Sequence, residues 1–166
     1  MIRLEQHLAG PLRALLGTVL IAMVAINVVN ATGRYAGFRL PAGLDELLVY
    51  MMIWIVMAGA VLALLQREHL AIDLLPQAMR TQARCWLVLL GDVVVLAVSV
   101  TVARQSWAFI ERIDRLGQTS MGLGIPMTWP HAAVLAGFGG MSAVALLLIV
   151  RDVAALRGHG LANARP

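Results

Sequence analysis

Charge is scarce in this sequence. Only 13% of its 166 residues are Asp, Glu, Lys or Arg, and all 13 of its basic side chains other than His are arginines. A soluble domain carries about a quarter charged residues, so too little polar surface exists here to cover a water-soluble globule. Cysteine occurs once, at Cys85, which excludes an internal disulfide and any metal centre built on several thiolates. Flanked by Arg84 and Trp86 at the edge of an apolar run, it reads as structural filler. The sequence also lacks a Gly-rich phosphate loop, a nucleophile elbow and a pair of carboxylates placed to share a cavity. Those gaps remove the usual catalytic constellations, and neither an enzyme nor a cofactor is expected. The net charge of +4 does not point to nucleic acid. That reading wants a basic face on a soluble fold, whereas these arginines stand at the ends of apolar runs, where they anchor helix ends among headgroups.

What is present is hydrophobic sequence, 60% of the chain, gathered into long runs. A spanning helix needs about 20 mostly apolar residues. Four segments meet this: residues 12–31, 47–65, 86–103 and 132–150. The fold class expected is an all-α membrane protein of four transmembrane helices with short amphipathic interfacial helices, forming one domain over 1–166. The first run has the length of a long signal-peptide core, but no clear A-x-A site follows and three more spans do, which favours an uncleaved anchor. With four spans, both termini share a side with the loop between the second and third. That side holds Arg3, Arg13, Arg67, Arg80, Arg84, Arg151, Arg157 and Arg165, against Arg34, Arg39, Arg104, Arg112 and Arg115 on the other. The excess of 8 over 5 places both termini on the cytoplasmic side of the membrane.

The connections carry their own patterns. Leu4, Leu8 and Leu12 fall four apart, with Arg3, Gln6 and Arg13 elsewhere around the helix, as in a short helix lying in the interface. Between the second and third spans, Leu70, Ile72, Leu74, Leu75 and Met79 alternate with Asp73, Gln77 and Arg80, and Pro76 suits a first helical turn. After the third span, Trp107, Ile110, Ile113 and Leu116 recur opposite Glu111, Arg112, Asp114 and Arg115. The third helix is therefore expected to continue beyond the bilayer. Residues 117–130, rich in Gly and Pro, form the turn into the last helix.

Ionisable groups at membrane depth are the first place to look for function. Asp92 is the one acid within a span. It is either a proton or ion site, or a carboxylate that reaches water, a headgroup or a polar neighbour such as Asn27 or Asn30. A coupling site usually gathers several oxygens, and no second acid lies in any span, which favours the structural role. A haem anchor requires axial His at membrane depth. His7, His69, His131 and His159 all lie near span ends, so a redox anchor is disfavoured. His69 and Asp73, four apart beside Glu68, could begin a metal site, but no His or Cys cluster completes it; a polar pair ordering a helix end is favoured. Small residues form rows at helical spacing: Ala132, Ala136 and Gly140 on the fourth span, with Gly139 and Ala143 beside them, and Gly59 and Ala63 on the second. Such rows either pack the four helices together or face a partner.

One stretch is more specific. Asp45 to Leu75 reads DELLVYMMIWIVMAGAVLALLQREHLAIDLL. It resembles the small membrane subunit (DctQ-like, or Q subunit) of tripartite ATP-independent periplasmic (TRAP) transporters. That family's pattern has an acid opening the second span, a Trp within it, a Gly-Ala pair, a basic residue, a His and a Val/Ile-Asp-Leu. Glu46, Trp54, Gly59, Ala60, Arg67, His69, Ile72, Asp73 and Leu74 match in order. Glu68, before His69, departs from the small or basic residue found there. Leu123, Gly124, Ile125, Pro126 and Trp129 are similar to the family's approach to its last helix. The resemblance implies a scaffold for a large (M) membrane subunit, with sodium-driven uptake of a small organic acid delivered by a periplasmic binding protein. It also implies that substrate and sodium sites lie on the large subunit, leaving this chain to contact that subunit and membrane lipids. The alternative reading is an independent, small, homo-oligomeric transporter or channel with Asp92 as its coupling acid.

Overall fold

The computed structural model describes residues 2–37, 43–66 and 81–162, with side chains for 10–37, 43–66 and 86–154. Four α-helices follow in order: α1 (Ile2–Tyr35), α2 (Leu44–Leu65), α3 (Thr81–Leu116) and α4 (Thr128–Ala162). Each holds a segment long and apolar enough to cross a membrane: Gly10–Tyr35, Leu44–Leu65, Trp86–Leu116 and Thr128–Ala154, with mean hydropathy between 2.2 and 2.5. The chain is an all-α, multi-pass membrane protein. At 1.5 Å per residue, the 22 residues of α2 reach about 33 Å, close to the hydrocarbon thickness of about 30 Å. The 36 residues of α3 reach about 54 Å, so its far end stands beyond the bilayer, as the periodicity from Trp107 to Leu116 predicts.

The N-terminal amphipathic stretch is continuous with the first span. Ile2–Tyr35 is one helix with Pro11 inside it. A proline there costs one backbone hydrogen bond and bends a helix without having to end it. The second amphipathic stretch, with Pro76, lies outside the described residues.

Packing runs α1, α2, α4, α3: α1 meets α2, α2 meets α4, and α4 meets α3. Among the described residues α1 reaches neither α3 nor α4. The central place of α4 follows from its small side chains. Between lipid-solvated helices, contact comes from close packing, which small residues permit. Ala133 and Ala145 are wholly buried. A Cβ on Gly137 would lie 2.7 Å from Cβ of Met57, and one on Gly140 would lie 3.0 Å from Cγ2 of Val61. Below these contacts Leu64, Val144, Ala145 and Leu148 form a core, surrounded by Val61, Leu65, Val95, Leu96 and Met141. At the other end of the α3–α4 contact, the rings of Phe109 and His131 meet edge to face at 4.9 Å.

The rows of small residues divide. Gly140 faces α2, whereas Ala136, Gly139 and Ala143 are exposed and Ala132 is half-buried. On α2, Ala63 is half-buried, and a Cβ on Gly59 would meet nothing within 4 Å. The tightest approach belongs to Gly137, which stands in neither row.

Candidate functional site

The polar chemistry of the described residues concentrates where α1 ends, α2 begins and the α3–α4 loop folds back. Helix α3 stops at a left-handed glycine, Gly117, with φ of 59°. The Gly117 N–H donates to the Asp114 carbonyl at 3.0 Å and the Gln118 N–H to the Ile113 carbonyl at 3.4 Å, a Schellman ending. The chain then turns back on itself. Met127 N–H donates to the Gln118 carbonyl at 3.0 Å, Ser120 N–H to the Ile125 carbonyl at 2.8 Å, and Thr119 pairs with Pro126 across the loop. Pro130 falls in the first turn of α4, where its missing N–H costs no helical bond.

Glu46 holds this loop. Its Oε1 accepts the Gly122 N–H at 3.0 Å and its Oε2 accepts the Leu123 N–H at 3.1 Å. The Leu123 N–H is shared with Ser120 Oγ at 3.3 Å. Two glycines allow the approach. Gly43 has φ of 91°, and a Cβ on it would lie 2.9 Å from the Gly122 carbonyl carbon. A Cβ on Gly122 would lie 2.8 Å from Gly43 Cα. Below them the Tyr50 hydroxyl donates to Met127 Sδ at 3.5 Å. Glu46 also suits the positive end of the α2 dipole.

The neighbouring acid turns the other way. Asp45 accepts hydrogen bonds from the Asn30 amide and the Arg34 guanidinium, clasping the end of α1 to the start of α2. Beside this clasp lies a cleft of about 430 Å³, lined by Asn27, Asn30, Ala31, Arg34, Tyr35 and Asp45. The pairing of Arg34 with Asp45 does not follow from their positions at the ends of two apolar runs. A cation and an acid flanking one short connection were the available signal.

Asp92 lies elsewhere. It is completely enclosed by the protein on α3, a helix that packs on α4. Of the alternatives for a structural carboxylate, the approach to Asn27 or Asn30 does not occur, because α1 stays on the far side of α2 and Asn30 is committed to Asp45. Among the described residues no group of three or more His, Cys, Asp or Glu could hold a metal ion.

The motif residues are distributed accordingly. Glu46 and Pro126 belong to one assembly, the carboxylate cradle and the loop seated in it. Trp54 is partly exposed on an outward face of α2, and Gly59 stands open one turn further on. Arg67, His69 and Asp73 lie outside the described residues.

These elements can be compared with known families. A family model for the DctQ component of tripartite ATP-independent periplasmic transporters matches residues 20–155. The chain belongs to the DctQ family. The match covers most of the chain, from within α1 to within α4, and takes in the Glu46 cradle, the Asp45 clasp and the loop at Pro126. No curated protein matches the sequence at a significant level. DctQ proteins are components of a transporter and not an enzyme family, so this chain works in the membrane as part of a larger transport assembly.

Proposed function

We propose that this DctQ protein is a non-catalytic scaffold: a single four-helix domain in the bacterial inner membrane that supports the large M subunit of a TRAP transporter. In this reading a periplasmic binding protein delivers a small organic acid, and a sodium gradient drives its uptake through the large subunit. The family match over 20–155 carries the proposal. The packing order supports it: a row of helices, unlike a closed bundle, leaves long apolar faces on α1, α2 and α4 for lipid or a partner. Two of those faces carry small residues suited to a helix partner, Gly59 with Ala63 on α2 and Ala132 with Ala136 on α4.

The test is co-expression of the tagged chain with the multi-span permease of the same transporter. The two should co-purify, and the reconstituted pair with its binding protein should take up substrate only under a sodium gradient. The chain alone in liposomes should transport nothing. A second reading, an independent transporter, rests on the burial of Asp92 at membrane depth. Asp92→Asn separates the two: uptake by the complex should survive largely intact. Its complete loss with normal assembly would favour Asp92 as a coupling acid.

A further inference from the structure

The cleft between α1 and α2 has a composition that the scaffold role does not use. It sits where two spans end, at headgroup depth, and presents one cation, one acid and two carboxamides. Arg34 and Asp45 remain well exposed at 64% and 61% of their side chains although they touch each other. A guanidinium offers five N–H donors, and among the described residues one nitrogen of Arg34 is engaged, by Asp45. Each oxygen of Asp45 takes one hydrogen bond, from Asn30 or Arg34, and can accept another.

Apolar tracks lead away from this cleft. Residues four and seven positions before Asn27 and Ala31 share their face of α1; they include the exposed Leu20 and Val24. On α2, Val49, Met52 and Val56 continue the side of Asp45 and are likewise exposed. A polar niche at headgroup depth, continuous with apolar stripes on two helices, matches a phospholipid and not a free metabolite. The charges choose among phospholipids. A phosphate suits the spare Arg34 donors and the amides, and a primary ammonium suits Asp45. A purely anionic headgroup would meet Asp45 unbalanced, and a quaternary ammonium has no N–H to donate.

We propose that the α1–α2 cleft at Arg34 and Asp45 binds a phospholipid with a zwitterionic, primary-amine headgroup, a phosphoethanolamine ester. The site requires only that α1 and α2 cross a bilayer, and it stands whether or not the transported substrate is an organic acid.

Native mass spectrometry of the full chain, purified in detergent, tests this with phosphatidylethanolamine, phosphatidylcholine and phosphatidylglycerol of identical acyl chains. The ethanolamine lipid should be retained roughly tenfold more strongly, as expected for one additional charge-assisted hydrogen bond. Asp45→Asn, which removes the anion that receives the ammonium, should abolish that preference. Asn27→Leu, which leaves the Asp45 clasp intact, should weaken retention of all three lipids and leave the melting temperature of the lipid-free chain unchanged. In melts of the wild-type chain, the ethanolamine lipid should stabilise, while glycerophosphoethanolamine and inorganic phosphate should not. Equal retention of the three lipids, a preference that survives Asp45→Asn, or retention unchanged in Asn27→Leu would overturn the proposal. Equal stabilisation by the soluble phosphate ester would reassign the cleft to a free phosphate compound.

Discussion

Asp45 and Glu46 are adjacent but tie α2 to two different elements. Successive residues on a helix point about 100° apart and do not face each other. Asp45 therefore meets α1 through Asn30 and Arg34, while Glu46 meets the loop before α4. The two amides held by Glu46 are not equivalent. Leu123 N–H has Ser120 Oγ in reserve at 3.3 Å, whereas Gly122 N–H donates to Glu46. In Glu46→Ala both loop amides lose the carboxylate, and Leu123 alone keeps an acceptor, Ser120 Oγ. Amide exchange should then accelerate at Gly122 by roughly tenfold, the loss of one hydrogen bond, and less at Leu123. Exchange in the core around Ala145 should be unchanged. Unaltered protection at Gly122 would show that the loop stands without the carboxylate. The acid at the start of α2 was legible in the sequence as a motif residue. Its partners, 76 and 77 positions away, were not, because a backbone N–H carries no sequence signature.

At the scale of helices, α4 is the element on which α2 and α3 assemble, and glycine decides how closely. Gly137 faces Met57 so tightly that a methyl group has no room beside the Met57 Cβ. Gly137→Ala should lower the stability of the detergent-solubilised chain by about 1–3 kcal/mol through overpacking. Gly139→Leu and Gly59→Leu add bulk where nothing lies within 4 Å and should leave the melting temperature intact. If either open glycine faces the large subunit, its leucine variant should lose that partner on co-purification while melting normally. A loss of stability in Gly139→Leu would contradict the packing seen here. The sequence showed that small residues recur along the fourth span but not which of them touch α2. Rows spaced by four around a uniformly apolar helix look alike until the azimuth of its neighbour is known. By contrast, the extension of α3 to Leu116 was readable from periodicity, because that part leaves the lipid and becomes amphipathic again.

For the whole molecule, the arginine distribution predicts sidedness. With Cys85 replaced, a cysteine at Gln118, in the loop seated on Glu46, should react with an impermeant thiol reagent from the periplasm, and one at Asn163 should not. The opposite pattern would invert the assignment of both termini. The all-α class, four spans and the DctQ resemblance were determined by the sequence alone. Matching apolar length to bilayer thickness is a one-dimensional problem, and the Glu46-to-Asp73 motif is a linear string. The order α1, α2, α4, α3, the Gly137–Met57 contact, the Glu46 cradle and the Arg34–Asp45 cleft were decided only by tertiary structure. In lipid every face of a spanning helix is apolar, so hydrophobicity no longer distinguishes a neighbour from solvent. The choice passes to shape and to a few polar contacts between residues far apart in the chain.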